Sequence, residues 1–85
     1  MIRIYLQTPY CADRAARFYH LFLQEDLFGG WMLVKEWGFQ GASGTMQREH
    51  FTSKEEALRA LLSCRDAQIR RGYQVMYTQG EVAPR

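Results

Sequence analysis

The stretch from Leu27 to Gly41 reads LFGGWMLVKEWGFQG and holds both tryptophans and four of the seven glycines of the chain. Its centre, Trp31–Val34, is an apolar run between two turns that glycines mark. Glycine tolerates the backbone angles of tight turns, and tryptophan supplies a large apolar surface. The stretch therefore predicts a strand bounded by turns, and its exit, Trp37–Gly41, predicts an interaction surface.

Two further strands are predicted before this stretch. Ile2–Gln7 alternates apolar and polar side chains, which is the period of a strand with one apolar face. Ala16–Gln24 carries apolar bulk on both faces, which favours a central strand. His20 within it has no nucleophile or orienting carboxylate in a recognisable motif, so a structural role is favoured over a catalytic one.

The residues after the stretch predict a turn, a strand, a helix and a short last strand. Gly38–Gly44 is the turn, and Thr45–Phe51 is the most polar of the predicted strands. Ser53 opens a capping box, Ser-Lys-Glu-Glu, which starts a helix over about Lys54–Arg71. The apolar stripe of this helix comprises Ala57, Leu58, Leu61, Leu62, Cys64 and Ile69.

The predicted fold follows from this order of elements. With Tyr73–Tyr77 as the last strand, the chain should form a small antiparallel sheet of four to five strands. One long helix should pack on that sheet, which is an α+β fold. At 85 residues the chain is expected to be a single domain.

Composition and charge leave the function open. The net charge of +2 and the isoelectric point near 8.7 are mildly basic, which is not a nucleic-acid signature by itself. Nine of the eleven cationic residues are arginines, which suit bidentate contacts to phosphate or carboxylate and stacking on aromatic rings. A genome rich in G and C gives the same preference for arginine.

The two cysteines, Cys11 and Cys64, belong to no CxxC or paired histidine motif, so no zinc site is expected. No nucleophile–base pair and no phosphate loop is recognisable, and the chain is not expected to be an enzyme. The N-terminus lacks the apolar core of a signal peptide, and no window is long enough to span a membrane. A cytoplasmic protein without membrane contact is expected.

Four segments stand in an order known from one family: Phe18–Gly29, Trp31–Gly41, Ser53–Ala57 and Arg70–Tyr73. They resemble the successive blocks of a WGR domain, which is named for a Trp-Gly-Arg tripeptide in its central block. The resemblance covers residues 1–78. Residues 79–85 are expected to form a flexible C-terminal tail.

The resemblance implies a small antiparallel sheet with one long helix, as the residue pattern also predicts. It implies a non-enzymatic module without cofactor or metal, like the domain with which poly(ADP-ribose) polymerases contact DNA breaks. Bacteria carry such domains as short standalone proteins. The expected partner is therefore DNA, with a protein partner as the alternative, and a bacterial protein linked to DNA repair is expected.

The tripeptide departs from the family at one position. Trp37 and Gly38 match the motif, whereas Phe39 occupies the position of its arginine. A phenylalanine can stack on a base, which is worth about 1–3 kcal/mol per base, but it supplies no charge to a phosphate. Another cation must then do so. The candidate nucleic-acid-binding residues are Trp37, Gly38, Phe39, Arg48, Lys35 and Arg3.

Two functions remain open from the sequence. One is binding of DNA ends or nicks with little sequence specificity. The other is a protein–protein interaction in which the Trp37–Gly41 loop is an apolar docking patch. Trp37 itself is interpreted either as a contact residue or as part of the core beneath the helix.

Overall fold

The computed structural model describes residues 1–80, which form a five-stranded antiparallel sheet with one helix on one face. The strands are β1 Ile2–Gln7, β2 Arg17–Glu25, β3 Trp31–Phe39, β4 Thr45–Phe51 and β5 Gln74–Gln79, and the helix is α1 Lys54–Arg70. The strand order across the sheet is β4-β3-β2-β1-β5. This arrangement confirms the predicted α+β fold and the central position of β2.

The core lies between the sheet and α1. Because side chains alternate along a strand, every second residue of β1, β2 and β3 points toward the helix. The buried cluster comprises Ile2, Ile4, Leu6, Tyr19, Leu21, Leu23, Leu33, Ala57 and Leu61. Strand β2 shows the alternation between the two faces of the sheet. Tyr19, Leu21 and Leu23 are buried on the helix side, and Phe18, His20 and Phe22 on the other side are not buried.

The opposite face of the sheet is covered by no element within residues 1–80, and we call it the open face. The strand register places Arg3, Phe22, Val34 and Arg48 in one row across it. The next row contains Tyr77, Tyr5, His20, Glu36 and Met46. The sheet is therefore apolar and buried on one side, with a mixture of aromatic and charged side chains on the other.

Helix α1 begins as its sequence predicts. The Ser53 side-chain oxygen accepts hydrogen bonds from the backbone N–H groups of Glu55 (3.1 Å) and Glu56 (3.3 Å). These donors would otherwise be unsatisfied at the helix start. The helix ends before Gly72, whose φ of 104° lies in the region that favours glycine. No helix within the described chain is long and apolar enough to cross a membrane.

The predicted apolar stripe of α1 is wrong at its last position. Ile69 is 44% exposed, and the neighbouring Gln68 is buried at 6% instead. Gln68 lies eleven residues after Ala57, which is close to three helical turns, so it continues the buried row through Leu61. The Gln68 backbone oxygen accepts the N–H of Tyr73 (3.0 Å), which fixes the chain beyond the helix.

The predicted turn at Gly38–Gly44 is wrong at its start, because β3 continues through Gly38 and Phe39. These two residues pair with Phe18 and Arg17 of β2. The backbone N–H of Gln40 also donates to the Ala16 oxygen (2.8 Å), so the pairing extends past the end of the strand. The tripeptide thus stands on a hydrogen-bonded strand.

The last strand begins and ends later than predicted. β5 spans Gln74–Gln79 and pairs with β1, so the expected boundary at residue 78 falls inside a strand. The remainder of the expected tail, residues 81–85, lies outside the described residues.

Candidate functional site

Trp37 lies at the end of the sheet where β3 leaves the core. Its ring stacks on Tyr19 with centroids 5.5 Å apart and planes 11° apart, and Tyr73 meets Tyr19 edge-on at 5.9 Å. Trp37 is half-buried and packs against the core, and it also lines a cavity of about 350 Å³ together with Phe39 and Tyr73. The tryptophan therefore belongs to both the core and an accessible surface.

The position after Trp37 requires a glycine, because the backbone of the returning chain passes directly over Gly38. A Cβ at Gly38 would lie 3.1 Å from the Gly44 Cα, and one at Gly44 would lie 2.9 Å from the Trp37 carbonyl oxygen. Any larger side chain would push β3 and the start of β4 apart. The two glycines thus let Trp37 and Phe39 stand at a tightly closed hairpin.

Phe39, at the position of the motif arginine, is 48% exposed. The guanidinium of Arg17, its partner across the β2–β3 pair, lies over the Phe39 ring at 5.2 Å from the centroid. Thr8 holds the Arg17 backbone on both sides, since its side-chain oxygen accepts the Arg17 N–H (2.8 Å) and its N–H donates to the Arg17 oxygen (2.9 Å). A positive charge is therefore anchored at the tripeptide.

Two more arginines reach the same end of the sheet. Arg14, Arg17 and Arg71 line a second cavity of about 610 Å³, which shares Arg17, Phe39 and Tyr73 with the first. Among the described residues that line either cavity there is no carboxylate. We call Arg14, Arg17 and Arg71, with Phe39 and Tyr73, the basic end. Three arginines lining one cavity favour an anionic ligand such as a phosphate.

The other cations predicted for the site line neither cavity. Lys35 is on the helix side of β3 and pairs with Glu49 at 3.6 Å. Arg3 and Arg48 lie in one row of the open face, on either side of Phe22 and Val34. The structure thus brings Trp37, Gly38 and Phe39 together and places Arg3 and Arg48 on the open face. Lys35 stands two residues before Trp37 on the same face of β3, with Glu49 as its partner, and lines neither cavity.

Sequence reasoning missed the arginines of the basic end. Arg14 and Arg17 lie in and just after the β1–β2 connector, and Arg71 follows α1, so they are far apart along the chain. The one usable signal in the sequence was the Arg-Arg-Gly-Tyr segment that ends the helix. The pairing of Arg17 with Phe39 is a property of the strand register, which only the folded sheet shows.

Two titratable rings of the central strand have shifted pKa values. Burial raises the pKa of Tyr19, and a contact between its hydroxyl and the Cys64 thiol (3.7 Å) adds to the rise. Burial lowers the pKa of His20, and the Arg3 guanidinium lowers it further, whereas Glu36 opposes the change. Both groups are therefore held in their neutral forms around neutral pH.

The β2–β3 turn is fixed by Asp26. The pKa of its carboxylate is lowered first by the hydrogen bond from the Phe28 N–H (3.3 Å) and then by the His50 imidazole. The His50 Nε2 lies 2.6 Å from an Asp26 oxygen, which ties the turn to β4. Within residues 1–80, no three His, Cys, Asp or Glu side chains come together as a metal site.

Comparison with known proteins assigns the chain. The family model of the WGR domain matches residues 2–79. The uncharacterized protein y4dW of Sinorhizobium fredii (strain NBRC 101917 / NGR234) is 32% identical over 71 residues, which are 84% of this chain and 35% of that relative. The chain thus spans about a third of the relative's length. No solved structure gives a significant match. With its family match running through every strand and the helix, the chain belongs to the WGR domain family.

Proposed function

We propose that this WGR domain binds DNA ends or nicks with little sequence specificity, and that the basic end is the contact surface. WGR domains are binding modules of the nucleic-acid-binding type in proteins related to poly(ADP-ribose) polymerases, not catalytic domains. The observation that carries the proposal is the placement of Arg14, Arg17 and Arg71 around the Trp37–Phe39 segment.

In this proposal Arg17, on the neighbouring strand, supplies the positive charge that the motif arginine would supply. The Arg17 guanidinium, over the Phe39 ring, pairs with a backbone phosphate. The exposed part of Phe39 and Trp37 packs against the terminal sugar or base, where stacking contributes about 1–3 kcal/mol per base. Contacts to phosphate and sugar carry no sequence information, so low sequence specificity is expected. Arg48, Lys35 and Arg3 remain as a second set of cations away from the end.

The test is substitution of Arg17. We expect Arg17→Ala to weaken binding of a fluorescent blunt or nicked duplex about 10- to 100-fold, since a hydrogen bond to a charged group contributes about 1.5–3 kcal/mol. Fluorescence anisotropy at low salt measures the change. Arg59→Ala is the matched control, because Arg59 is an exposed arginine on α1 that lines neither cavity.

Two results would contradict the proposal. One is equal loss of affinity in the Arg17 and Arg59 variants, which would indicate a general effect of net charge. The other is the absence of any duplex binding by the unaltered protein up to about 50 µM, since even non-specific constants lie near ~10⁻⁴–10⁻⁶ M.

A protein partner at the same segment is the second candidate. The half-exposed Phe39 ring and the cavity that it shares with Trp37, Ala42 and Tyr73 favour an apolar anchor. Such docking would survive Arg17→Ala and would respond little to salt, because apolar burial rather than phosphate pairing would hold the complex.

A further inference from the structure

We propose that the open face of the sheet binds single-stranded DNA, whose bases stack on the row formed by Phe18, Tyr5 and Tyr77. This inference rests on the proposed function, because the single strand is taken to continue from a DNA end held at the basic end. The open face is a different surface from the two cavities there, and none of the three rings lines either cavity.

The three rings form a row across three neighbouring strands. Tyr5 lies 6.4 Å from Phe18 and 5.7 Å from Tyr77 between ring centroids, and the ring planes differ by only 12° and 16°. Tyr77 is 47% exposed at the edge strand β5. The three rings therefore stack on one another, as Trp37 does on Tyr19, and an unpaired base can continue this stack at the exposed Tyr77 ring with little dependence on sequence.

The polar groups around the row match a nucleic acid strand. Arg3 lies over the Phe22 ring at 5.0 Å from its centroid, and Arg48 stands in the same row of the sheet near its other edge. In the two rows of the open face that contain Arg3 and Tyr5, Glu36 carries the one carboxylate. The nearby carboxylate of Asp26 is paired with His50. Arg3 is thus the cation beside the aromatic row, and Arg48 lies on the opposite edge strand β4. Across the open face as a whole the two arginines outnumber Glu36, which complements a phosphate backbone.

Two buried nitrogens on this face lack a partner within the described chain. They are the Arg3 Nε and the His20 Nε2, on neighbouring strands β1 and β2. A buried polar atom without a hydrogen bond is costly, so such atoms call for a ligand or water. Both atoms have almost no solvent-accessible surface, so they become available to a base edge only when a neighbouring side chain moves.

The row also begins at the segment that holds the proposed DNA end. Phe18 pairs with Gly38, and its ring borders the Gly38–Gly44 approach. Gln40, the residue after Phe39, reaches over the sheet and donates from its side-chain nitrogen to the Tyr5 hydroxyl (2.6 Å) and to the Gln7 side-chain oxygen (3.0 Å). An unpaired strand that leaves the basic end would therefore meet Phe18 and Tyr5 first and Tyr77 last.

The experiment compares a blunt duplex with the same duplex carrying an overhang of about eight nucleotides, within the ~4–16 that single-strand-binding folds cover. We expect the unaltered protein to bind the overhang duplex more tightly. Tyr77→Ala should lower the affinity for the overhang duplex about five- to a hundredfold and leave the affinity for the blunt duplex unchanged. Tyr77→Phe keeps the ring and should behave like the unaltered protein.

Val75→Ala is the matched control, because Val75 is 40% exposed on the same strand and pairs with Leu6 on the helix side. Unchanged overhang affinity in Tyr77→Ala would overturn the inference. Tighter Tyr77-dependent binding of an RNA strand of the same sequence would overturn the assignment to DNA. A dimer that Tyr77→Ala dissociates, without overhang binding, would overturn it in favour of a second copy of the chain.

The two proposals fail separately. Blunt-duplex binding that depends on Arg17, together with an overhang that adds nothing, would leave the proposed function standing and remove the single-strand site. Tyr77-dependent binding of a free single strand without any blunt-duplex binding would support the open face as a single-strand site and remove the proposed function.

Discussion

Phe39 and Arg17 place an aromatic ring and a guanidinium side by side on neighbouring strands. The family motif places a guanidinium directly after Trp-Gly, and here that position holds a phenylalanine. Its neighbour across the β2–β3 pair, Arg17, supplies a guanidinium that lies over the ring. A cation over an aromatic face is stabilised by the ring quadrupole, so the ring also orients the charge.

His20 carries a pH dependence that can be stated with its sign. Burial and the nearby Arg3 lower the pKa of His20 in the folded protein, so the unfolded chain binds a proton more readily. Its contribution to stability is therefore present above the unfolded pKa, near 6.5, and is lost as the pH falls through and below that value.

The measurement is urea unfolding of the protein and of His20→Gln between about pH 8 and about pH 5. The difference in unfolding free energy between the two should move in favour of the variant as the pH falls. Because the other titratable groups are the same in both proteins, their contributions cancel in the difference. A difference that does not change with pH would show that His20 protonates as easily in the folded state as in the unfolded chain.

Helix α1 depends on one serine at its start. Ser53→Ala removes the acceptor for the Glu55 and Glu56 N–H groups and should destabilise the domain by about 0.5–2 kcal/mol. For a domain of this size, the melting temperature should fall by about 4–8 °C per kcal/mol. Ser63→Ala is the control, because Ser63 is exposed within the same helix and alanine is a better helix former. Equal effects of the two substitutions would contradict the capping role.

The helix and the strands could be predicted from local sequence patterns. The exact ends of the strands and the composition of the site depend on which strands pair in the folded sheet. Alternation in β1 and the capping box before α1 are properties of neighbouring residues, and the structure confirms both. The extension of β3 through Gly38 and Phe39 depends on Arg17 and Phe18 lying beside them, which no local pattern reveals. The arginine cluster likewise required knowing that the chain returns after α1 to the start of β2.

At the scale of the whole molecule, a net charge of +2 hides an uneven distribution. Three arginines meet at the basic end, while other charges are neutralised locally in pairs such as Lys35 with Glu49. Long-range attraction depends on where charge is concentrated, so a nearly neutral domain can still present a cationic surface to a phosphate chain. The open face, on the other side of the sheet, carries two further arginines, Arg3 and Arg48.

The salt dependence of duplex binding measures this distribution. If Arg14, Arg17 and Arg71 each neutralise one phosphate, the slope of log K against log salt should be about −2.7, from about −0.9 for each contact. Arg17→Ala should reduce its magnitude by about 1, whereas Arg59→Ala should leave it unchanged. Anisotropy titrations of a blunt duplex over a series of salt concentrations give the slopes. A slope near zero would instead favour apolar docking of a protein partner at Phe39, because burial of apolar surface releases no counterions.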